Sequence, residues 1–326
     1  MNPADGIPRI ELHCHLDASM RIDTITELAQ EQGLSYERPI SELARVPANC
    51  QSLIDFFVAI DIELDVLQHP AAIERAAAEL VEDMHKDGII HGEVRFAPHL
   101  HQRNGHSIDE IIDAAHRGLQ RTASTSGMSA ALIVCALRDR DPQEGVELVE
   151  AAGRLPGCVA AVDLAGPEAG HPAAPFEEML GRAQAAGLGI TIHAGEADGP
   201  ASIREAVEMG ATRIGHGVRS SHDLRLLSEL ARNSITLECC PTSNVITHAV
   251  PGMTEHPIDL LHQEGVPTTV STDARTCLDI TLDSELELLT TVHGWDRDRH
   301  VEAQRAAVRA AFVPGQRRTE LLDAIG

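Results

Sequence analysis

Residues 7–19 read "IPRIELHCHLDAS": a short apolar run that closes on two histidines and, almost at once, an aspartate. Successive side chains of a strand point to opposite faces, so His13 and His15 project to one side while Cys14 and Leu16 point away. Two imidazoles on one face can chelate one ion, although an isolated H-x-H pair is as often a surface or hydrogen-bonded core feature. What decides between these readings is where the strand delivers the pair.

Seven further runs of the same kind follow: "IIHGEVRFAP", "SAALIVCAL", "CVAAVDLAG", "LGITIHAGE", "TRIGHG", "SITLECCPTSN" and "VPTTVSTDA". Stretches of helical period lie between most of them, for example 108–124, 175–186, 202–209, 221–232 and 257–263, several closed by a glycine such as Gly187, Gly210 or Gly265. Regular strand–helix alternation implies parallel β/α units, and eight of them imply a closed (β/α)8 TIM barrel. About 70 residues separate the first strand from the second and hold helical patterns near 23–32, 51–67 and 71–86. An insertion there emerges at the C-terminal face of a barrel, where active sites sit, so the segment at about 36–70, with "CQSLIDFFVAIDIEL" at its centre, is read as a helical lid. Helices near 282–293 and 299–311 finish the chain. No linker or repeat interrupts it, and 1–326 reads as one barrel domain.

Composition narrows the partners. Twenty-six Lys+Arg against 50 Asp+Glu give a formal charge of −24, a surface that repels nucleic-acid phosphates and anionic membranes. The start "MNPADGIPRI" lacks the basic and apolar regions of a secretory signal, and no apolar run approaches the roughly 18 residues of a membrane span, so a cytoplasmic protein is expected. Seven scattered cysteines without a C-x-x-C pair suggest buried thiols rather than disulfides or a structural zinc knuckle. Homo-oligomerisation is left open.

Barrel logic then returns to the histidines. The ends of strands one, five, six and eight share one pocket, which brings His13, His15, His193 and Asp273 within ligand distance as a site for one Zn2+. Glu196, three residues past a ligand, could shuttle a proton between activated water and a substrate nitrogen. His216 could be a fifth ligand, a solvated residue, or a donor that orients the nucleophile, and the last is preferred. The single lysine, Lys86, does not end strand four, where binuclear barrel hydrolases commonly bridge two metals with a modified lysine; one ion per chain follows. Asp163 reads as support for the barrel interior rather than a ligand. His91, His99, His101, His106 and His116 read as surface or loop-packing residues, and Phe56 and Phe57 as lid core.

In order and spacing, "ELHCHLDAS", "GEVRFAPHL", "VDLAG", "HAGE", "RIGHG", "CPTSN" and "STD" resemble the adenosine deaminase family of metal-dependent barrel hydrolases over nearly the whole chain. The resemblance implies zinc on His13, His15, His193 and Asp273, protonation of purine N1 by Glu196, and hydroxide positioned by His216 and Asp273 for attack at C6 with loss of ammonia. It also implies that Asp17 meets a ribose hydroxyl and that the backbone N–H of Gly166 approaches N3. Departures fall around the same pocket. The family's usual second aspartate, which meets purine N7, and the proline after it are Ala274 and Arg275 in "STDART"; Ala18 stands for a glycine and Pro167 for an acidic residue. The expected activity is hydrolytic removal of the 6-amino group from adenosine or a related aminopurine nucleoside. The alternative is a modified adenosine of the aminodeoxyfutalosine type, whose carboxylate Arg275 would pair. A non-catalytic zinc and nucleoside binder is disfavoured by Glu196, and amide or phosphotriester hydrolysis by the missing strand-four lysine.

Overall fold

The computed structural model describes residues 3–47, 49–50 and 56–326. Its strands are β1 (Arg9–His15), β2 (Ile89–Phe96), β3 (Ser129–Leu137), β4 (Ala161–Ala165), β5 (Gly189–Ala194), β6 (Arg213–His216), β7 (Thr236–Cys239) and β8 (Thr268–Val270). Each pairs in parallel with the next in chain order. Beyond β8 the chain returns to β1, where His15 N donates to Asp273 O at 2.7 Å and Asp273 N to His13 O at 2.8 Å. First and last strands therefore meet at the histidine pair, and the (β/α)8 barrel expected from the alternation is present. β1 slips register against β2 between Glu11 and Cys14, around His13 itself. Such irregularities commonly re-aim a side chain beside a site.

The helical crossovers follow from local chemistry. The helix Ile108–Ser126 starts at a capping box in which Ser107 and Glu110 satisfy each other's backbone N–H, and it ends at Gly127 with φ 81°. Its apolar stripe, with Ile111, Ile112, Ala115 and Leu119, is buried. Pro70–Lys86 crosses it at Gly118, where a Cβ would come within 2.3 Å of Glu74 O, so only glycine allows this approach. The main apolar core lies between the strands' outward faces and such helices.

The lumen is different. Glu11, Glu93, Arg95, Asp163, Arg213 and Glu238 are all at most 1% exposed. Arg95 donates to Asp163 Oδ2 (2.8 Å) and Glu238 Oε2 (2.7 Å); Arg213 donates to Glu238 Oε1 (2.6 Å) and Glu93 Oε2 (2.6 Å). Buried charges are tolerated when every one is paired and hydrogen-bonded. Phe312 closes the lower end, with the Arg213 guanidinium 3.9 Å above its ring.

Between β1 and β2 lie helices at Ile22–Glu31, Ile40–Leu43, Asp61–Val66 and Pro70–Lys86. Of the helical pattern expected at 51–67, the described residues show helix at 56–57 and over Asp61–Val66, and residues 51–55 lie outside the described residues. Leu282–His293 and Arg297–Ala310 match expectation; Gly315–Ile325 was not anticipated and helps bury Ile10 and Leu12 of β1. No disulfide forms among the described residues, and among them no helix is long and apolar enough to cross a membrane.

Candidate active site

A cavity of about 330 Å³ opens over the C-terminal ends of the strands, lined by His15, Asp17, Gly166, His193, Glu196, His216 and Asp273 among others. His13 lies beneath it, fully buried. His15 Nε2 and His193 Nε2 face each other at 3.3 Å, and Asp273 Oδ1 lies 3.4 Å from both His13 Nε2 and His15 Nε2. Gly215 on β6 leaves room for this packing, since a Cβ there would meet His13 Cε1 at 3.1 Å.

What lies behind the imidazoles fixes which nitrogen faces inward. His13 Nδ1 meets Glu238 Oε2 at 2.8 Å and His193 Nδ1 meets Asp163 Oδ1 at 3.1 Å. A carboxylate accepts only, so each Nδ1 carries the proton and each Nε2 presents a lone pair. These lone pairs and an aspartate converge in one buried spot, where His13 Nε2 has no hydrogen-bond partner. Converging acceptors repel unless a cation lies among them. Three of the separations, at 3.3–3.4 Å, match the edge of a tetrahedron whose centre-to-corner distance is about 2.1 Å, the usual ligand distance of a small divalent ion, and all four ligand atoms lie within 4.8 Å of one another. The four residues fit a metal ion, as a group able to hold one.

The backbone is strained to deliver Asp273 and the neighbouring His216. His216 (φ 61°) and Asp273 (φ 62°) both adopt left-handed conformations that non-glycine residues rarely take. Asp273 is held by Ser243 Oγ, which donates to its Oδ2 at 2.6 Å, and His216 Nδ1 by Asn244 Nδ2 at 2.9 Å. Ser243 and Asn244 sit in a helical turn, Pro241–Ile246, that begins just after β7.

Glu196 Oε2 lies 3.6 Å from His216 Nε2. Burial, reinforced by the Asp273 carboxylate, pushes the Glu196 carboxyl up to about 7, which leaves it able to hold a proton near neutrality. The same burial lowers His216 to about 3, so its ring is neutral. The loop carrying Glu196 is shaped by Glu168, buried beside Pro167. Its Oε1 accepts from Gly195 N (2.6 Å) and Ser202 Oγ (2.6 Å), and its Oε2 from the backbone N of Glu196 (3.0 Å), Ala197 (2.7 Å) and Asp198 (3.0 Å). Although desolvation opposes ionisation, this array of donors holds the carboxyl below its usual range.

Gly166 sits at the end of β4 with φ 86° and lines the cavity as expected. Asp17 also lines it, and His101 Nε2 lies 3.5 Å from its Oδ2 while His101 Nδ1 donates to Leu67 O at 2.9 Å. His101 is fully buried against a site residue, closer to the chemistry than a surface histidine, and His91 is buried as well. Arg275 is not brought to the cavity. It starts the turn Arg275–Leu278, and its Nη2 bonds Asp87 Oδ2 at 3.0 Å in a separate groove outside the barrel mouth. Ala274 faces the pocket instead, in an apolar cluster with Ala18 and Phe56. Phe56 and Phe57, read from the sequence as lid core, both line the cavity.

Sequence reasoning did not single out Glu238, Glu168 or Arg95. For Glu238 and Arg95 the available signal was a charge placed inside an apolar strand run, "SITLECC" and "GEVRFAP", where no water can reach it; Glu168, in the loop after β4, carried no such signal.

A family model described as adenosine deaminase matches residues 8–326. An adenosine deaminase of Clostridium perfringens is 35% identical over 322 residues, 97% of each chain. Among solved structures, an adenine deaminase from Arthrobacter aurescens superimposes with a TM-score of 0.92 at 25% identity, covering 98% of both chains. The N6-methyl-AMP deaminase from Arabidopsis thaliana gives 0.88 at 24% identity, covering 99% of this chain and 97% of that one, a likeness of fold.

Proposed function

Because this chain belongs to the adenosine deaminase family, we propose that it is a zinc-dependent aminohydrolase that removes the 6-amino group of adenosine or a close aminopurine nucleoside as ammonia. The observation that carries this reading is one corner in which the Nε2 atoms of His13, His15 and His193 and the Asp273 carboxylate converge beside a carboxyl poised near neutrality. Three nitrogens and one carboxylate oxygen suit zinc over the harder oxygen-seeking ions. Bound there, zinc would make a nucleophilic oxygen available at neutral pH by acidifying water.

The chain's own groups supply the rest. Glu196 in its protonated form donates to the ring nitrogen adjacent to the amino-bearing carbon, which makes that carbon electrophilic. His216 presents its Nε2 to the same space. Asp17 takes a sugar hydroxyl, and Gly166, without a side chain, lets the ring edge approach the backbone.

Charge selects among substrates. Asp17, Asp61 and Asp139 line the cavity, and no lysine or arginine does so among the described residues. An uncharged nucleoside fits this wall better than a nucleotide monophosphate. The carboxylated alternative has lost its motivating contact, since Arg275 is engaged by Asp87 in another groove. Zinc-loaded protein should release ammonia from adenosine, followed by the fall in purine absorbance; silence across a panel of 6-aminopurine nucleosides and free bases would refute the reading.

A further inference from the structure

His216 reaches the cavity through one ring nitrogen and the protein interior through the other, and what it can do depends on which of the two is protonated. Neutral imidazole carries one N–H, so the ring is either a donor or an acceptor toward the pocket. The groups behind it form a buried line. His216 Nδ1 lies 2.9 Å from Asn244 Nδ2, Asn244 Oδ1 lies 3.2 Å from His256 Nε2, and His256 Nδ1 lies 3.3 Å from the backbone N of Ile258. All three side chains are at most 4% exposed.

An amide and two imidazoles could be arranged in two directions, because Asn can be turned over and each ring has two tautomers. The last member cannot be reversed. Ile258 N belongs to the first turn of the helix Ile258–Gln263, has no carbonyl partner within that helix, and can only donate. His256 Nδ1 must therefore accept, which places the proton of the neutral ring on Nε2, where it donates to Asn244 Oδ1. Asn244 Nδ2 then donates to His216 Nδ1, and the His216 proton is left on Nε2. The opposite order would set His256 Nδ1–H against Ile258 N–H, two donors facing each other in a dry interior. Burial also lowers His256 to about 3, so a doubly protonated ring does not offer an escape.

We infer that Asn244 and His256 are positioning residues that lock His216 in the Nε2–H tautomer, making it a fixed hydrogen-bond donor into the cavity. A donor at that place serves an oxygen that gains negative charge, and cannot act as a base toward it. The consequence for catalysis rests on the deaminase reading; the tautomer assignment does not.

The experiment is long-range 1H–15N correlation on protein labelled at histidine nitrogen, with the His216 signals assigned by their loss in His216→Asn. Wild type should show His216 protonated at Nε2 and bare at Nδ1. Protonation at Nδ1 instead overturns the inference without recourse to any variant. Asn244→Asp puts two acceptor oxygens behind the ring and should move the proton to Nδ1, with kcat falling about tenfold or more and KM nearly unchanged. His256→Gln keeps an N–H donor toward Asn244 Oδ1 and should hold the wild-type pattern and kcat within about threefold, whereas His256→Leu should lose both. An unchanged His216 pattern in His256→Leu removes His256 from the line and overturns its part. The expected pattern in a protein that deaminates nothing would support the tautomer and count against the enzymatic reading alone.

Discussion

Glu168 holds the backbone of Glu196: its Oε2 accepts the Glu196 N–H at 3.0 Å and those of the next two residues, while its Oε1 accepts from Gly195 N and Ser202 Oγ. The acid proposed to protonate substrate is thus aimed by a second carboxylate that is not among the residues lining the cavity. Glu168→Gln replaces one acceptor oxygen by an NH2 group, which meets backbone N–H donors it cannot satisfy. A lost buried acceptor costs about 1–3 kcal/mol of stability. We expect kcat to fall roughly tenfold to a hundredfold with metal content unchanged. Steady-state kinetics beside metal analysis would check it; a variant with native kcat would show that the loop holds its shape without this residue.

Asp163 and Glu238 set the inward lone pairs of His193 and His13. Their amide variants, Asp163→Asn and Glu238→Gln, can present an N–H to the ring and favour the wrong tautomer. Metal affinity should drop about 10- to 100-fold for each, read by competition with a chromophoric chelator. Glu238→Gln should also destabilise the fold more than Asp163→Asn, because Glu238 additionally receives Arg95, Arg213 and Thr191 in the lumen. Equal chelator curves for wild type and both variants would refute the orienting role.

Arg275 belongs to the scaffold. With Arg9, it engages Asp87, which also accepts Leu282 N at 2.7 Å and Asp283 N at 3.1 Å at the start of the helix Leu282–His293. Arg275→Ala leaves Asp87 with its other donors, so the expected loss is about 1–3 kcal/mol in chemical denaturation. The ratio of kcat/KM for adenosine over a carboxylate-bearing analogue should stay where it is. A selective loss on the carboxylated compound would instead place Arg275 in substrate recognition.

The barrel and the cluster that could hold a metal were legible because both follow from periodicity: β/α alternation fixes the topology, and strand ends then collect His13, His15, His193 and Asp273. The direction of Arg275 was not legible. It directly follows Ala274 of the pocket wall, and the onset of a helical turn at Arg275 sends its side chain outward. Glu168 and Glu238 escaped notice for a related reason, and Asn244, read with Thr242 and Ser243 as closing strand seven near the site in a loop-capping or substrate-contact role, was placed without its partner His216. Each acts through a neighbour distant in sequence, and a spacing pattern reports which residues share a face, not which partner will meet them across the lumen or along a loop. His101 looked like one of several irregular loop histidines until the turn after β2 carried it under Asp17.

Glu285 gives the molecule a pH dependence separate from catalysis. Its carboxyl, in the helix Leu282–His293, accepts from the backbone N (3.0 Å) and hydroxyl of Thr242 at the start of the turn bearing Ser243 and Asn244. Burial pushes it up to about 7 despite these donors, from an ordinary value of 4.5. Below the unfolded value both states hold the proton, and the contribution is fully present. As pH rises, the unfolded chain releases its proton first while the folded one keeps it, so folding stability falls until the folded group ionises. The loss spans about pH 4.5 to 7 and amounts to roughly 3 kcal/mol. Glu285→Gln cannot titrate and can still accept one bond from Thr242. Urea unfolding of both proteins at intervals across this range should show the wild type losing stability relative to the variant as pH rises, with the difference levelling off above neutrality. Parallel curves would mean that Glu285 ionises in the folded protein at its ordinary pH, and that water reaches the turn holding Ser243 and Asn244.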